Sequence, residues 1–138
     1  FRAGHPHIND ILISTVGSIG EISMFLIDKG TIAQNIVALR ATTTSPFYLY
    51  QYLKHLQADI KEYDIGSVQP SIKVTHFIKI KYIQPPIKKL KIFDDTIHPM
   101  ISKLITNNMQ AQTLSHFRDA LLPKLMSGEM RVKINGNN

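Results

Sequence analysis

Four basic side chains, Arg40, Lys73, Lys79 and Lys81, flank a short polar stretch, "GSVQPS" at 66–71. The guanidinium and the ammonium groups are matched to phosphate, each neutralised phosphate adding a salt-dependent increment to affinity for a polyanion. Ser67, Gln69 and Ser71 carry short polar groups beside a glycine whose backbone amide is easily reached, a combination that suits hydrogen bonds to phosphate oxygens or base edges. A plainer reading competes with each: the polar residues satisfy a helix-to-strand turn, and the lysines form a solvated sheet face.

Other chemistry finds less support. His5 and His7 form an H-x-H pair with no third ligand in view, short of what a zinc site needs. "VGSIG" at 16–20 lacks a P-loop lysine and lies between two strands instead of opening a helix, so it reads as a turn. Asp94 and Asp95 are adjacent in a helical pattern and point about 100° apart, as solvated charges do. Gln34 and Asn35 precede an apolar strand, where buried hydrogen bonds to backbone are the favoured role. His55, His76, His98 and His116 have no triad-like spacing. There is no Asn-Pro-Pro-Tyr methyltransferase motif, no cofactor glycine loop, and no nuclease cluster of carboxylates and lysine. No catalytic residue, metal or cofactor is therefore assigned.

The elements that position these groups follow from pattern. With 138 residues, 43% of them apolar, the chain can build a core for one ordinary domain, or one domain with a helical arm. Sixteen Lys and Arg against ten Asp and Glu give a net charge of +6, which favours anionic partners. The absence of cysteine rules out disulfides and thiolate chemistry and fits a cytoplasmic chain. No apolar run reaches the length of a membrane span, so no membrane partner is expected. The opening "FRAGHPHIND" reads as a loop running into a strand, as if the numbering began inside a longer polypeptide.

"DILIST" predicts a first strand, ended by the Gly17 and Gly20 turn; "EISMFLID" predicts a second, and "QNIVALRA" a third, too apolar for one face and so central. Ser45 followed by Pro46 predicts a helix start, and Leu49, Leu53, Leu56, Ile60 and Tyr63 form one stripe of that helix. "IKVTHFIKIKYIQ" alternates as a strand with Lys79 and Lys81 on one side; the alternative is a helical turn at 74–77 followed by a strand from Ile78. From 87 to 126 the pattern is helical, with Ile97, Ile101, Leu104, Asn108 and Ala111 near heptad positions and a shifted row starting at Leu114. Pro99 is expected to kink or interrupt it, and Gly128 to mark its end. The expected fold is α+β: a small mixed-sheet globule with one packed helix, followed by a long coiled-coil-like helical arm. The expected divisions are 1–85 for the globule, 86–127 for a spacer or pairing helix, and 128–138 for a tail. A lone helix of that length would expose its stripe, so Ile97, Ile101, Leu104, Asn108, Ala111 and Leu114 are expected to pack on a second long helix.

The blocks "NDILISTVGSIGEI", "AQNIVALR", "SPFYLYQYLK", "GSVQPSIKVTHFIKIKYIQPP" and "RDALLPKLMSGEMRV" resemble, in order and spacing, the specificity subunit of type I restriction–modification enzymes. Members of that family carry two target recognition domains, each followed by a long helix, and the helices pair antiparallel to fix the distance between two DNA half-sites. The resemblance covers the later part of one recognition domain plus one helix, without a second unit. It implies a non-catalytic chain that recognises double-stranded DNA and directs methyltransferase and restriction subunits to a bipartite target. Members that read different sequences share the "GSVQPS" block, which implies a role in positioning the DNA backbone. The competing reading is a helical protein-interaction element whose globule is only structural.

Overall fold

The computed structural model describes residues 5–62 and 71–131. Three strands come first: β1 (Ile11–Ser14), β2 (Ile22–Met24) and β3 (Ile36–Leu39). They form one sheet in the order β2-β1-β3, and both pairings are antiparallel. The fold is α+β as expected, with an antiparallel sheet in place of a mixed one. The central position belongs to β1, not to the third strand. β1 alternates Ile11 and Ile13, both fully buried, with half-buried Leu12 and Ser14, while every residue of β3 is half-buried. An unbroken apolar run reads as central when both faces are covered; here the run borders a groove, which shields it only partly.

Left-handed backbone at Gly17 (φ 78°) and Gly20 (φ 70°) shapes the β1–β2 connection. The Ser14 hydroxyl donates to the Ser18 carbonyl and accepts from the Glu21 N–H at 2.9 Å, so the connection is tied at its neck.

The helix predicted after Ser45 begins where expected. Ser45 accepts the Tyr48 N–H at 3.2 Å, and Pro46 occupies the first turn of α1 (Pro46–His55). The chain breaks at Leu56 and resumes as α2 (Gln57–Lys61), giving two short helices in place of one. The apolar stripe survives the break. Leu53 and Ile60 join Ile11, Ile13, Ile22, Ile72 and Phe77 in the core, with Leu49 and Leu56 packed against them. Tyr63 lies outside the described residues.

The strand predicted from 72 to 84 is absent. Val74–Ile78 form a single helical turn, α3, which buries Phe77, and the chain then runs without regular structure to α4. The alternative reading was right about the turn and wrong about a strand from Ile78. Lys79 and Lys81 are therefore not placed by strand alternation. The segment's carbonyls find partners in α1 instead of in a neighbouring strand: the Tyr52 hydroxyl donates to the Lys81 carbonyl at 2.5 Å, and Tyr48 to the Ile83 carbonyl at 3.2 Å.

α4 (Ile87–Met126) is a 40-residue element that continues through Pro99 and Pro123. The molecule divides into two compact units, one through Pro99 and one from Met100 onward. In the first, Leu90 is buried, Asp94 accepts from the Ser45 hydroxyl, and the rings of Phe93 and His98 meet Tyr48 and Phe47 edge-on. Asp94 is thus a partner of the α1 cap, not the solvated charge that its neighbourhood in sequence implies. In the second unit, the helix exposes Leu104, Leu114, Phe117, Leu121 and Leu125. It ends at Gly128 (φ 76°), where the Gly128 and Met130 N–H groups reach back to Leu125 and Lys124 carbonyls at 3.2 and 3.1 Å.

Two glycines give a direct check on this packing. A β-carbon on Gly20 would lie 2.7 Å from Lys61 Cγ, whereas one on Gly17 meets nothing within 4 Å. Gly17→Ala should cost about 1 kcal/mol for left-handed backbone alone. Gly20→Ala should cost about 1 kcal/mol more, because the Lys61 side chain of α2 must also give way. Urea denaturation of both variants measures the difference; equal losses would mean that α2 does not press on this turn.

Candidate nucleic-acid interface

Asp10 stands at the head of β1 and is almost fully buried. A carboxylate in that position needs partners, and it has three donors. Arg40, just past the end of β3, donates Nε–H to Oδ1 at 2.8 Å and Nη2–H to Oδ2 at 2.7 Å. The His7 backbone N–H adds a third bond to Oδ2 at 2.8 Å. The Arg40 hydrogen bond holds the Asp10 carboxyl below its ordinary pKa, against the opposing effect of burial and with help from the His7 amide. The same pair raises the pKa of Arg40. The contact joins the approach to β1 with the exit of β3, thirty residues later.

Beside this pair lies a groove of about 820 Å³. Ile36, Val37 and Ala38 of β3 line it together with Ile72 and Val74, and its polar lining includes His5, Thr15, Gln34, Arg40 and Lys73. The pairing of Val16 with Ser71 brings the 71–74 run against the end of β1, and the Ile72 N–H confirms the junction with a 2.9 Å bond to the Thr15 carbonyl. Arg40 and Lys73, 33 positions apart in the chain, thus meet in one concavity, and Ser71 is exposed next to it. Gln34 was expected to be buried; it is exposed on the groove wall. Asn35 is exposed too, and its carbonyl accepts both the N–H and the hydroxyl of Thr15, at 2.8 and 3.0 Å.

Lys79 and Lys81 belong to a different part of the globule. They lie on the irregular run between α3 and α4, both exposed, and neither lines the groove. Tyrosines strap that run to α1. Besides the two hydroxyl bonds to carbonyls, Tyr82 and Thr44 share a hydroxyl–hydroxyl bond, and the Tyr52 and Tyr82 rings meet edge-on at 5.4 Å. Partial desolvation beside Tyr82 and Tyr52 raises the Tyr48 pKa. Ser67 and Gln69 lie outside the described residues. His5 directs its Nδ1 to the Gly30 carbonyl at 3.3 Å, and among the described residues no three His, Asp or Glu come together as a metal site. No helix among them is long and apolar enough to cross a membrane.

The Asp10–Arg40 contact and the tyrosine strap escaped sequence reasoning. Neither has a local spacing signal, although Asp10 directly precedes the apolar run 11–13, where an unpaired carboxylate is costly.

Residues 4–115 match the family described as the type I restriction modification DNA specificity domain. The chain belongs to this family. Among curated proteins, it is 34% identical over 87 residues to the type I restriction enzyme MjaIX specificity subunit of Methanocaldococcus jannaschii, an alignment covering 63% of this chain and 20% of that protein. It is 27% identical over 125 residues to the HindI specificity subunit of Haemophilus influenzae, covering 87% of this chain and 27% of the relative. The specificity domain described here thus spans about a fifth to a quarter of those relatives' lengths.

The Asp10–Arg40 pair of this specificity domain sets a pH dependence. Folding lowers the Asp10 pKa, so the pair's contribution is complete above the ordinary carboxylate value of about 3.9. It is lost as pH falls through the lower folded value. Asp10→Asn should lower stability at neutral pH, where an uncompensated Arg40 remains half-exposed, and should flatten the acid limb of the stability curve below about pH 4. Chemical denaturation of both proteins from pH 7 to pH 2 reads this out; parallel acid limbs would remove Asp10 from the account.

Proposed function

We propose that this chain is the DNA-recognition element of a type I restriction–modification system. It binds double-stranded DNA through its globule and brings methyltransferase and restriction subunits to the target without catalysing either reaction. The family match over most of the globule carries this reading. It is supported by the net charge of +6 and by two exposed basic surfaces, the groove with Arg40 and Lys73 and the strap with Lys79 and Lys81. Ser67, Gln69 and Ser71 act with them as neutral donors to the DNA backbone. With chromosomal or invading DNA as its ligand, the protein works in the cytoplasm.

In this reading 1–85 is the later part of a recognition domain, 86–127 a spacer and pairing helix, and 128–138 a tail. The exposed apolar residues of the second unit favour pairing of α4 with another long helix, either an equivalent helix of the same subunit or a second copy of this chain. Ile97, Ile101, Leu104, Ala111 and Leu114 supply the apolar surface, and Asn108 sets register. The same observation favours a second reading, a helical coupler with no DNA specificity of its own.

Two experiments separate these. Lys79→Ala with Lys81→Ala in the full-length protein should weaken binding to all duplexes similarly and lower the slope of log affinity against log salt by about 2. An unchanged slope would make these lysines a solvated face. Ile101→Asp with Leu104→Asp should unpair α4 and halve the mass of a homodimer in sedimentation, or loosen the subunit if the partner helix is its own. A wild-type chain that stays monomeric at high micromolar concentration, with no partner helix, would contradict the pairing.

A further inference from the structure

The geometry points to a phosphate seat in the β3 groove: we propose that it holds one backbone phosphate of the DNA, that Arg40 binds it through the terminal edge of its guanidinium, and that Asp10 is the positioning residue. This inference rests on the DNA-binding reading above and gives it an atomic contact. A guanidinium has five N–H donors in a fixed plane. Asp10 takes two of them, Nε–H and one Nη2–H. The remaining Nη2–H and one Nη1–H lie along the adjacent terminal edge, which can grip two oxygens of one phosphate. The arginine side chain is half exposed (50%), while its carboxylate partner is 3% exposed. One partner is thus anchored in the fold and the other is half exposed where it lines the groove. Lys73 and the Gln34 amide line the same groove and add a charge and a donor within it.

The pairing with Asp10 has a consequence that sets this contact apart from a simple lysine. The carboxylate cancels most of the arginine's net charge and freezes its orientation. Arg40 therefore contributes directed hydrogen bonds, and little counterion release. A base edge offers paired acceptors too. Phosphate is favoured on general grounds, because half or more of protein–DNA hydrogen bonds go to the phosphate–sugar backbone.

The test measures duplex binding by the full-length protein across a salt series, with thermal melts on every variant. Asp10→Asn raises the net charge by one, so charge alone would tighten binding. A positioning role requires the reverse: roughly tenfold weaker binding, with the salt slope unchanged. Arg40→Lys keeps the charge and loses the fork; it should weaken binding to a similar extent on all duplexes, again with a parallel salt dependence. Asp10→Asn added to Arg40→Ala should cause no further loss of affinity, since Asp10 acts only through the arginine. Tighter or unchanged binding by Asp10→Asn, or wild-type affinity of Arg40→Lys, overturns the proposal. If Asp10→Asn does not fold, Arg40→Lys decides alone. A change in the preferred bases of Arg40→Lys, selected from a randomised duplex library, would assign the edge to a base and likewise overturn it. A wild-type protein with no salt-dependent affinity for any duplex would instead bring down the DNA-binding reading itself.

Discussion

The globule depends on burying one face of a three-stranded sheet that is barely large enough to persist alone. Ile11 and Ile13 on β1 are completely withdrawn from water, and Leu53 and Ile60 from two helices close over them. Each such side chain contributes about 1.5–3 kcal/mol when fully buried. The rest of the globule is arranged around this constraint. α2 packs close against the β1–β2 turn, where a β-carbon at position 20 would meet the Lys61 side chain. The Gln57 amide bonds the Gly20 carbonyl at 2.8 Å, and Lys61 pairs with Glu21 at 2.5 Å, at the same corner. The surface pair adds little by itself; the fit of the helix to the turn is what it marks.

The same burial brings charged groups to the surface. With one face of β1 sealed, the carboxylate at its head has to be neutralised from the side, and Arg40 arrives there at the end of β3. The groove follows from β3 being an edge strand against the 71–74 run. On the other side, α1 turns Leu53 inward and leaves Tyr48 and Tyr52 facing the strap that carries Lys79 and Lys81. One helix therefore holds the core with one face and orders a basic segment with the other.

Local rules were readable wherever the determinant is local. Ser45 before Pro46 marked a helix start, the 4-3-4 spacing from Leu49 to Ile60 marked its buried face, and Gly17, Gly20 and Gly128 marked turns and a stop. The failures are long-range. The run at 36–39 was too apolar for an ordinary edge, and only tertiary structure shows the groove beside it. The alternation of "IKIKYI" has the right period for a strand, but a strand needs a neighbour to bond, and tyrosine hydroxyls from α1 took two of its carbonyls. The Asp10–Arg40 contact spans thirty residues with no periodicity at all. Of the basic residues singled out, Arg40 and Lys73 come together in the groove and Lys79 and Lys81 on the strap, a division that sequence order does not reveal.

The central claim is that the globule meets DNA. Amide hydrogen–deuterium exchange on the full-length protein, with and without saturating double-stranded DNA, tests it most directly. Contact by the globule should slow exchange in 34–40, in 71–74 and along 79–84, with little change in 104–122. Unchanged exchange in the groove and the strap at saturating DNA would contradict the claim and leave the chain as a helical coupler.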